Sequence, residues 1–589
     1  MPSLLIIGGT GFFGKSILSI FTRGGLVRYK INKVIILARE IDTFIKNHSE
    51  LLSPSIEFIK GDIAKLTSLP NADYIIHAAA STNLADYNFD TYENIEKSIL
   101  NFSRLVLVAN KKSKILYCSS GAVYGKNQSL EKSSETDLFQ DDLSLLSEEQ
   151  KLYCLSKRFA ENEIIKLGNL GLNVSIARCF AFSGKYLPRN QHYALGNFLH
   201  SAESGKTIEV KAEHPVIRSY MHADELAHSL INVVKESNQK CPIFNVGSQS
   251  MIELRDLARK VGLEYGVNVK VPAKLIKKNI DFYVPNVEKL NKLNYNNNIS
   301  LIRELINQNP TVIIGSGIHK IYSSENNILN DWHLLISKLA EKFGYSLKNA
   351  KNRNLMYVFE DLIDEISLKQ NMPAYKAENK LKKEICKFIF DSQQKLIANE
   401  LKGKLDSFTK SQFISLNVDT LIVDNQVCVK QVKSSHYNSV FNTSFKLNDT
   451  PVFYVNGNIT EHKYLRFGLR SISNQINIFQ KGFEKLKNSE KLYNHNRDII
   501  MSTDSSWVSN FFYKPVLILG ASIGEHELGL RFLLNQRKRN FSFKFKFNNP
   551  IYIILDQKSI EIPGYREDLD TLGIQPIIFE NYDYFWRNF

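Results

Sequence analysis

The first twenty residues constrain this chain more than any other stretch. Leu4 to Ile7 is an apolar run that leads straight into Gly8, Gly11 and Gly14, and Lys15 to Ile20 then continues in a pattern that suits a helix. A buried strand, a tight glycine turn and a helix start in immediate succession satisfy few folds. Glycine lets the backbone approach a phosphate, and a helix N-terminus offers unpaired N–H groups with a partial positive charge. Three glycines at this spacing are a weak signal alone. Directly after a strand-like run, they point to the pyrophosphate of a dinucleotide such as NAD or NADP.

The alternation continues downstream. Lys33 to Arg39 predicts a second strand ending in a basic residue, and Ile56 to Ile63 a third with Asp62 at its tip. Tyr74 to Ala80 reads as a fourth, running into small residues, and Lys114 to Ser120 as a fifth ending in hydroxyls. Strands separated by helical segments imply an α/β fold, a doubly wound parallel sheet with ligands beyond the strands' carboxyl ends. At 589 residues the chain is too long for one core, so two or more domains are expected. No apolar run approaches the roughly 20 residues of a membrane helix. The chain also opens on a strand rather than a leader, which gives a cytoplasmic expectation and no membrane partner. The six cysteines (118, 154, 179, 241, 386 and 428) form no C-x-x-C pair, as expected of reduced thiols and no metal site. The net charge of +15 accompanies no Arg-rich tract, so it reads as a lysine-rich composition rather than a nucleic-acid partner.

Tyr153 and Lys157 stand four apart on a helix expected from Glu148 to Leu167, and so share a face. A phenol titrates near ~10, and service as a base at pH 7 requires about 4 kcal/mol of preferential phenolate stabilisation. A neighbouring ammonium and a positive nicotinamide ring have the right sign. Ser120, at a strand end, is placed to hold the same substrate oxygen. The same spacing recurs at Tyr29 and Lys33, where no hydroxyl-tipped strand precedes it and no role is expected.

Taken in order, these residues resemble the extended short-chain dehydrogenase/reductase family, the nucleotide-sugar epimerases, dehydratases and reductases, over residues 1–308. The further motifs are Asp62-Ile63, His77-Ala78-Ala79-Ala80, Asn94, Ser119 to Gly125, Tyr153 to Lys157, Arg178 to Gly184, Arg218 to Asp224 and Phe244 to Gly247. The resemblance implies Ser120, Tyr153 and Lys157 as catalytic residues. It implies a cofactor at Gly8, Thr10, Gly11, Phe12, Phe13, Gly14, Arg39, Asp62, Ile63, Ala78, Ala79 and Lys157, with Asp62 at the adenine. Arg39 leans toward the 2′-phosphate of NADP, although the neighbouring Glu40 blurs that reading. Dehydratases of the family carry an acid pair where this chain has Gly121-Ala122, which leaves an epimerase or a reductase. Arg218 resembles a diphosphate-binding position, so a nucleoside-diphosphate sugar is the expected substrate. A dimer through the helix of Tyr153 is also implied.

Near residue 308 the pattern restarts after Asn-Gln-Asn-Pro. Thr311 to His319 is a strand entering a second glycine turn, followed by a helix rich in Leu (Trp332, Leu334, Leu335, Leu339). Phe413 to Ile422, Val452 to Asn458 and Val516 to Ile523 come later. This order resembles a divergent prokaryotic Sir2-like domain over residues 309–589. It implies a nucleotide site at Gly315, Ser316, Gly317, Asn417 and Asp419. The chain departs from that family in having Asn456 where a catalytic histidine is expected before Gly457, and in lacking paired cysteines. An amide cannot act as a general base, so deacylation is not expected, and NAD hydrolysis would need Asn417 or a displaced histidine such as His462. The basic end of the segment Leu528 to Arg539 reads as a solvated helix terminus.

Three functions follow as expectations. The first is an NAD(P)-dependent nucleotide-sugar epimerase or reductase with an appended Sir2-like module, a chemistry suited to surface-polysaccharide synthesis. The second is an NAD-hydrolysing antiphage effector with the first domain as sensor, and the third a non-catalytic nucleotide-binding scaffold.

Overall fold

The computed structural model describes residues 2–589 except 82, 128–129, 190, 192, 273–279, 322–326, 330, 346–352, 395–398, 409, 424–443, 491–506, 525–526 and 545–548. Two compact units divide the chain, residues 1–297 and 298–589. The first unit opens with β1 (Ser3–Ile7), β2 (Lys33–Ala38), β3 (Ile56–Lys60), β4 (Tyr74–His77), β5 (Lys114–Ser120) and β6 (Asn173–Cys179). Four short strands follow, β7 (Phe182–Ser183), β8 (Ile208–Glu209), β9 (Val216–Ser219) and β10 (Met221–His222). Then come β11 (Ile243–Val246), β12 (Met251–Glu253), β13 (Val269–Lys270) and β14 (Asp281–Tyr283).

Seven of these strands form one parallel sheet in the order β11-β6-β5-β4-β1-β2-β3. Helices cover both faces, so both alternating sets of side chains are buried, and the strands read as unbroken apolar runs. Leu4 and Ile6 pack toward one face with Ile17 and Ile36. Leu5 and Ile7 pack toward the other with Ile75, Ile115 and Ile164. Helix α1 (Phe12–Thr22) starts at Gly11 and is followed by α2 (Ile41–Asn47), α3 (Phe89–Ala109) and α4 (Glu148–Asn169). A capping box opens α4: Gln150 N–H donates to Ser147 Oγ at 3.3 Å, and Ser147 N–H to Gln150 Oε1 at 3.0 Å. This fixes the first turn of the helix that presents Tyr153 and Lys157. Beside the main sheet, β9 pairs antiparallel with β12 and parallel with β14, carrying Arg218 and Tyr283.

The second unit contains β15 (Thr311–Ile314), β16 (Gln412–Ser415), β17 (Ser444–Leu447), β18 (Thr450–Tyr454), β19 (Val516–Leu519), β20 (Ile551–Asp556) and β21 (Ile574–Phe579). They make a second seven-stranded sheet, β17-β18-β16-β15-β19-β20-β21, parallel except for the antiparallel edge strand β17. Between β15 and β16 the chain inserts the helices Trp332–Lys342, Leu355–Lys369 and Ala374–Gln393, which share their own core through Leu335, Leu339, Leu362 and Ile385. In both sheets the first strand is central, the next strands extend to one side and the chain then returns to build the other. That reversal creates a crevice beyond the carboxyl ends of β1 and β4, and of β15 and β19.

The expectation of a solvated basic helix end holds for Lys538 and Arg539, which are exposed, and not for Arg537. The helix Leu528–Lys544 runs past the basic cluster, and Arg537 within it is 3% exposed. Its guanidinium donates to the carbonyls of Phe511, Lys514 and Asn549, so this residue ties helix to loop rather than facing water. Among the described residues, no helix is long and apolar enough to cross a membrane, and no cluster of three metal-ligating side chains occurs. Cys118, Cys154, Cys179, Cys241 and Cys386 are free thiols; Cys428 lies outside the described residues.

Candidate active site

The glycine turn after β1 has a split logic. Gly8 adopts φ +81°, and a Cβ there would lie 2.6 Å from Ala79 Cα, so only glycine lets the loop after β4 pass. A Cβ at Gly14 would sit 2.0 Å from the Gly9 carbonyl oxygen, which makes Gly14 the contact between turn and helix. Gly11 differs: a Cβ there meets nothing closer than Gly8 O at 3.4 Å. Internal packing does not demand glycine at that position. Its bareness leaves open the space above the N-terminus of α1, where no side chain caps the helix. Such a cradle fits a pyrophosphate. Thr10 lies in the turn, while Phe12 and Phe13 turn back on Phe182, at ring-centroid distances of 6.3 and 5.4 Å.

Arg39 and Glu40 are exposed beyond β2. Asp62 accepts the Ala64 N–H at 3.0 Å, and Ile63 is buried in the core. Ala78 and Ala79 line the loop after β4.

Ser120, Tyr153 and Lys157 come together at the carboxyl end of β5. Burial pushes the pKa of the Tyr153 phenol well above the ordinary tyrosine value, and the buried Ser120 hydroxyl on its side of the site works in the opposite direction. Lys157 Nζ lies 5.9 Å from the Tyr153 ring centroid and donates to Cys118 O at 3.1 Å and Tyr117 Oη at 3.3 Å. Burial lowers the pKa of this ammonium. In the protein alone, therefore, the phenol is a poor base. Cationic charge brought beside it is what would make it a better one.

Beneath the site lies a relay that sequence reading missed. Glu161 follows Lys157 by one helical turn, and both its oxygens face Arg178 of β6, with contacts of 2.9 to 3.2 Å. The pair is buried, at 4% exposure for Arg178 and 2% for Glu161. Ser119 Oγ donates to Glu161 Oε1 at 2.6 Å, and Arg178 Nη1 donates to Tyr124 Oη at 2.9 Å. The Tyr124 hydroxyl donates in turn to Asn245 Oδ1 at 2.7 Å. The stripe Tyr153, Lys157, Glu161 at intervals of four was the signal available. Two further residues complete the surroundings. Tyr283 Oη lies 3.5 Å from Ser120 Oγ, and a Cβ at Gly121 would stand 2.8 Å from the same phenol. His77 is buried against Phe102 and Tyr117, and neither ring nitrogen has a hydrogen-bond partner among the described residues.

Arg218 lies on β9, ion-paired with Asp281 at 2.7 Å and stacked 5.6 Å from the Tyr283 ring centroid.

The second glycine turn obeys packing. A Cβ on Gly315 would lie 2.7 Å from Ala521 Cα, and one on Gly317 2.7 Å from Gly520 O. The loops after β15 and β19 thus touch backbone to backbone, as the loops after β1 and β4 do. Ser316 begins the 3-10 turn Ser316–Ile321, which carries His319. His319 is fully buried, with Nε2 at 2.9 Å from Asp419 Oδ2 and 3.3 Å from Asn417 Nδ2. Asn417 Oδ1 and the Tyr454 hydroxyl are buried without a hydrogen-bond partner among the described residues. The histidine beside Asn417 is thus His319. His462 sits on a separate turn, where burial and the charges of Lys383, Lys382 and Lys463 lower its pKa. Asn456 donates to Leu416 O at 3.0 Å and accepts from Gln475 at 2.9 Å, a bracing contact between loop and helix.

Comparison with known proteins bears on the first unit. Residues 4–247 match the model of the NAD dependent epimerase/dehydratase family. A UDP-glucose 4-epimerase of Rickettsia bellii is 33% identical over 132 residues, which is 21% of this chain and 38% of that protein. Its counterpart in Rickettsia conorii is 31% identical over the same shares. The chain thus spans 38% of the length of these curated relatives. Among solved structures, a UDP-N-acetylglucosamine 4-epimerase from Methanobrevibacter ruminantium aligns with a TM-score of 0.40 and 20% identity, covering 50% of this chain and 91% of that one. A dTDP-glucose 4,6-dehydratase from Bacillus anthracis aligns with a TM-score of 0.40 and 17% identity, covering 50% and 90%. With its parallel sheet, glycine turn and serine–tyrosine–lysine set, the segment 4–247 is the part of this chain that matches the NAD dependent epimerase/dehydratase family.

Proposed function

We propose that the first unit is a nucleotide-sugar 4-epimerase of the NAD-dependent type, acting on a UDP-linked or related sugar. The observation that carries this reading is the meeting of Ser120, Tyr153 and Lys157 at the end of β5, in a sheet whose β1 turn leaves a bare cradle at Gly11. Bound in that cradle, a nicotinamide dinucleotide supplies reversible hydride acceptance. Tyr153 takes the proton of the sugar hydroxyl and later returns it, while Ser120 Oγ holds the same oxygen. Lys157 keeps cationic charge near the phenol and favours its ionised form. Gly121 speaks against dehydration: with the Phe180 ring 2.7 Å and the Tyr283 phenol 2.8 Å from a Cβ at 121, an acidic side chain has no room there. Arg218 is the candidate diphosphate contact, and a homodimer through α4 remains part of the proposal. Arg39 makes NADP the alternative cofactor.

The test is incubation of the full chain with NAD or NADP and UDP-, GDP- and dTDP-sugars, with chromatographic separation of epimers. Interconversion by the native protein, with none by Tyr153→Phe, supports the reading. Unchanged sugars across the panel sink it.

A second reading rests on the buried His319, Asn417 and Asp419 cluster and the Sir2-like motif order. On that reading the second unit cleaves NAD, and release of nicotinamide that Asn417→Ala abolishes would establish it. Nucleotide binding without turnover at either unit would favour a scaffold.

A further inference from the structure

The second unit has a cleft of about 80 Å³ on the carboxyl side of β16 and β18, lined in part by Leu416 and Val418 on either side of Asn417. Its apolar wall includes Trp332, Phe359 and Phe467; the Phe467 ring lies 5.1 Å from Trp332 and 5.8 Å from Phe359. Its polar groups are Asn456, Gln475, Arg466 and Glu527. Three of these four are committed. Asn456 and Gln475 bond one another, and Gln475 also donates to Val455 O at 2.8 Å. Arg466 donates to the carbonyls of Val455 and Tyr464, each at 3.2 Å.

Glu527 stands out. It lies at the start of the helix Leu528–Lys544, half-buried, on the wall of the cleft. Burial raises its pKa, to about 8, and among the described residues it makes no ion pair, the Arg466 guanidinium of the same cleft included. A carboxyl group partly withdrawn from water without an ion pair gains from a cation that can reach it. Here the cleft presents that carboxyl together with aromatic faces, whose negative quadrupoles also attract cations.

We propose that this cleft binds a small organic cation, an ammonium borne on an aromatic or apolar body. The body would lie against Trp332, Phe359 and Phe467, and the ammonium would pair with the Glu527 carboxylate. The reading is independent of the sugar chemistry of the first unit and needs no covalent step. It also accounts for the asymmetry of the cleft: its guanidinium is turned to backbone carbonyls, while its carboxyl is left for a guest.

The experiment uses the full chain and two isosteric probes, 2-phenylethylamine (cationic) and 2-phenylethanol (neutral), with 3-phenylpropionate as the anion. Binding is read by calorimetry. The expected result is at least a tenfold preference for the amine over the alcohol in the native protein. Glu527→Gln should abolish that preference while alcohol binding persists. Because the amine-to-alcohol ratio is measured on the native chain, the proposal stays falsifiable even if the variant misfolds. Equal affinities, preference for the carboxylate probe, an unchanged ratio in Glu527→Gln, or no binding of any probe at millimolar concentration would each overturn it.

Discussion

His77 makes the stability of the first unit sensitive to acid, and its surroundings set the size of the effect. The ring is 1% exposed, packed edge-on against Phe102 at 4.8 Å, with no partner for either nitrogen among the described residues. Burial, then the charge of Lys157, lowers its pKa from 6.5 to about 3. The unfolded chain therefore binds a proton below pH 6.5 that the folded chain refuses. Stability attributable to this group is intact above pH 6.5 and lost progressively as pH falls toward 3. At 1.36 kcal/mol per unit, the 1.5 units between 6.5 and pH 5 correspond to about 2 kcal/mol. His77→Leu removes the titrating group and replaces it with an apolar side chain of similar size. All three tryptophans lie beyond residue 330, so their fluorescence reports only on the second unit. The suitable assay is hydrogen exchange by mass spectrometry on peptides from β1, β4 and β5, at pH 7.5 and 5.0. The native chain should lose about 2 kcal/mol more protection than His77→Leu between these pH values. An identical loss in both proteins would refute the assignment.

Further predictions concern the site and its supports. Tyr153→Phe should lower epimerase turnover by roughly 10²–10⁴-fold, with hydrogen exchange in β5 and α4 unchanged. Arg178→Met leaves Glu161 buried without its partner and should cost about 3–5 kcal/mol in the first unit; Arg178→Met combined with Glu161→Leu should recover more than half of that. Gly8→Ala forces a side chain into φ +81°, about 1–2 kcal/mol from the backbone alone, and should weaken the fold in a thermal melt. Gly11→Ala should leave the melt unchanged while reducing NAD affinity in a titration, since its Cβ intrudes only on the cradle.

The strands were legible because a sheet covered on both faces needs unbroken apolar runs, and Leu4 to Ile7 and Val34 to Ala38 supply them before glycines or polar tips. The helix of Tyr153 was legible from its spacing, and the structure adds the Ser147–Gln150 capping box at its start. What could not be read were partners distant in sequence. Nothing local ties Tyr283 to Ser120, 163 residues away, or His319 to Asp419, 100 residues away. Arg537 misled for the same reason: a basic helix end looks solvated until the carbonyls it serves, brought by a separate loop, are known. Asn456 was read as the loss of a histidine. Its hydrogen bonds show what the amide does there: it donates to Leu416 O and accepts from Gln475, bracing the loop against a helix.

The central position of the first strand in each sheet has a consequence for biosynthesis. In the first unit β1 gains its second neighbour, β4, after about 70 residues, from Leu4 to Tyr74. In the second unit Thr311 of β15 pairs with Val516 of β19, a separation of 516 − 311 = 205 residues. At about 5–20 residues per second, the ribosome takes roughly 10–40 s to deliver that partner. Through this interval the buried strand β15 keeps at least one open edge, while the inserted helices emerge and pack among themselves. A nascent chain stalled anywhere before residue 516 would therefore be the species most in need of a chaperone.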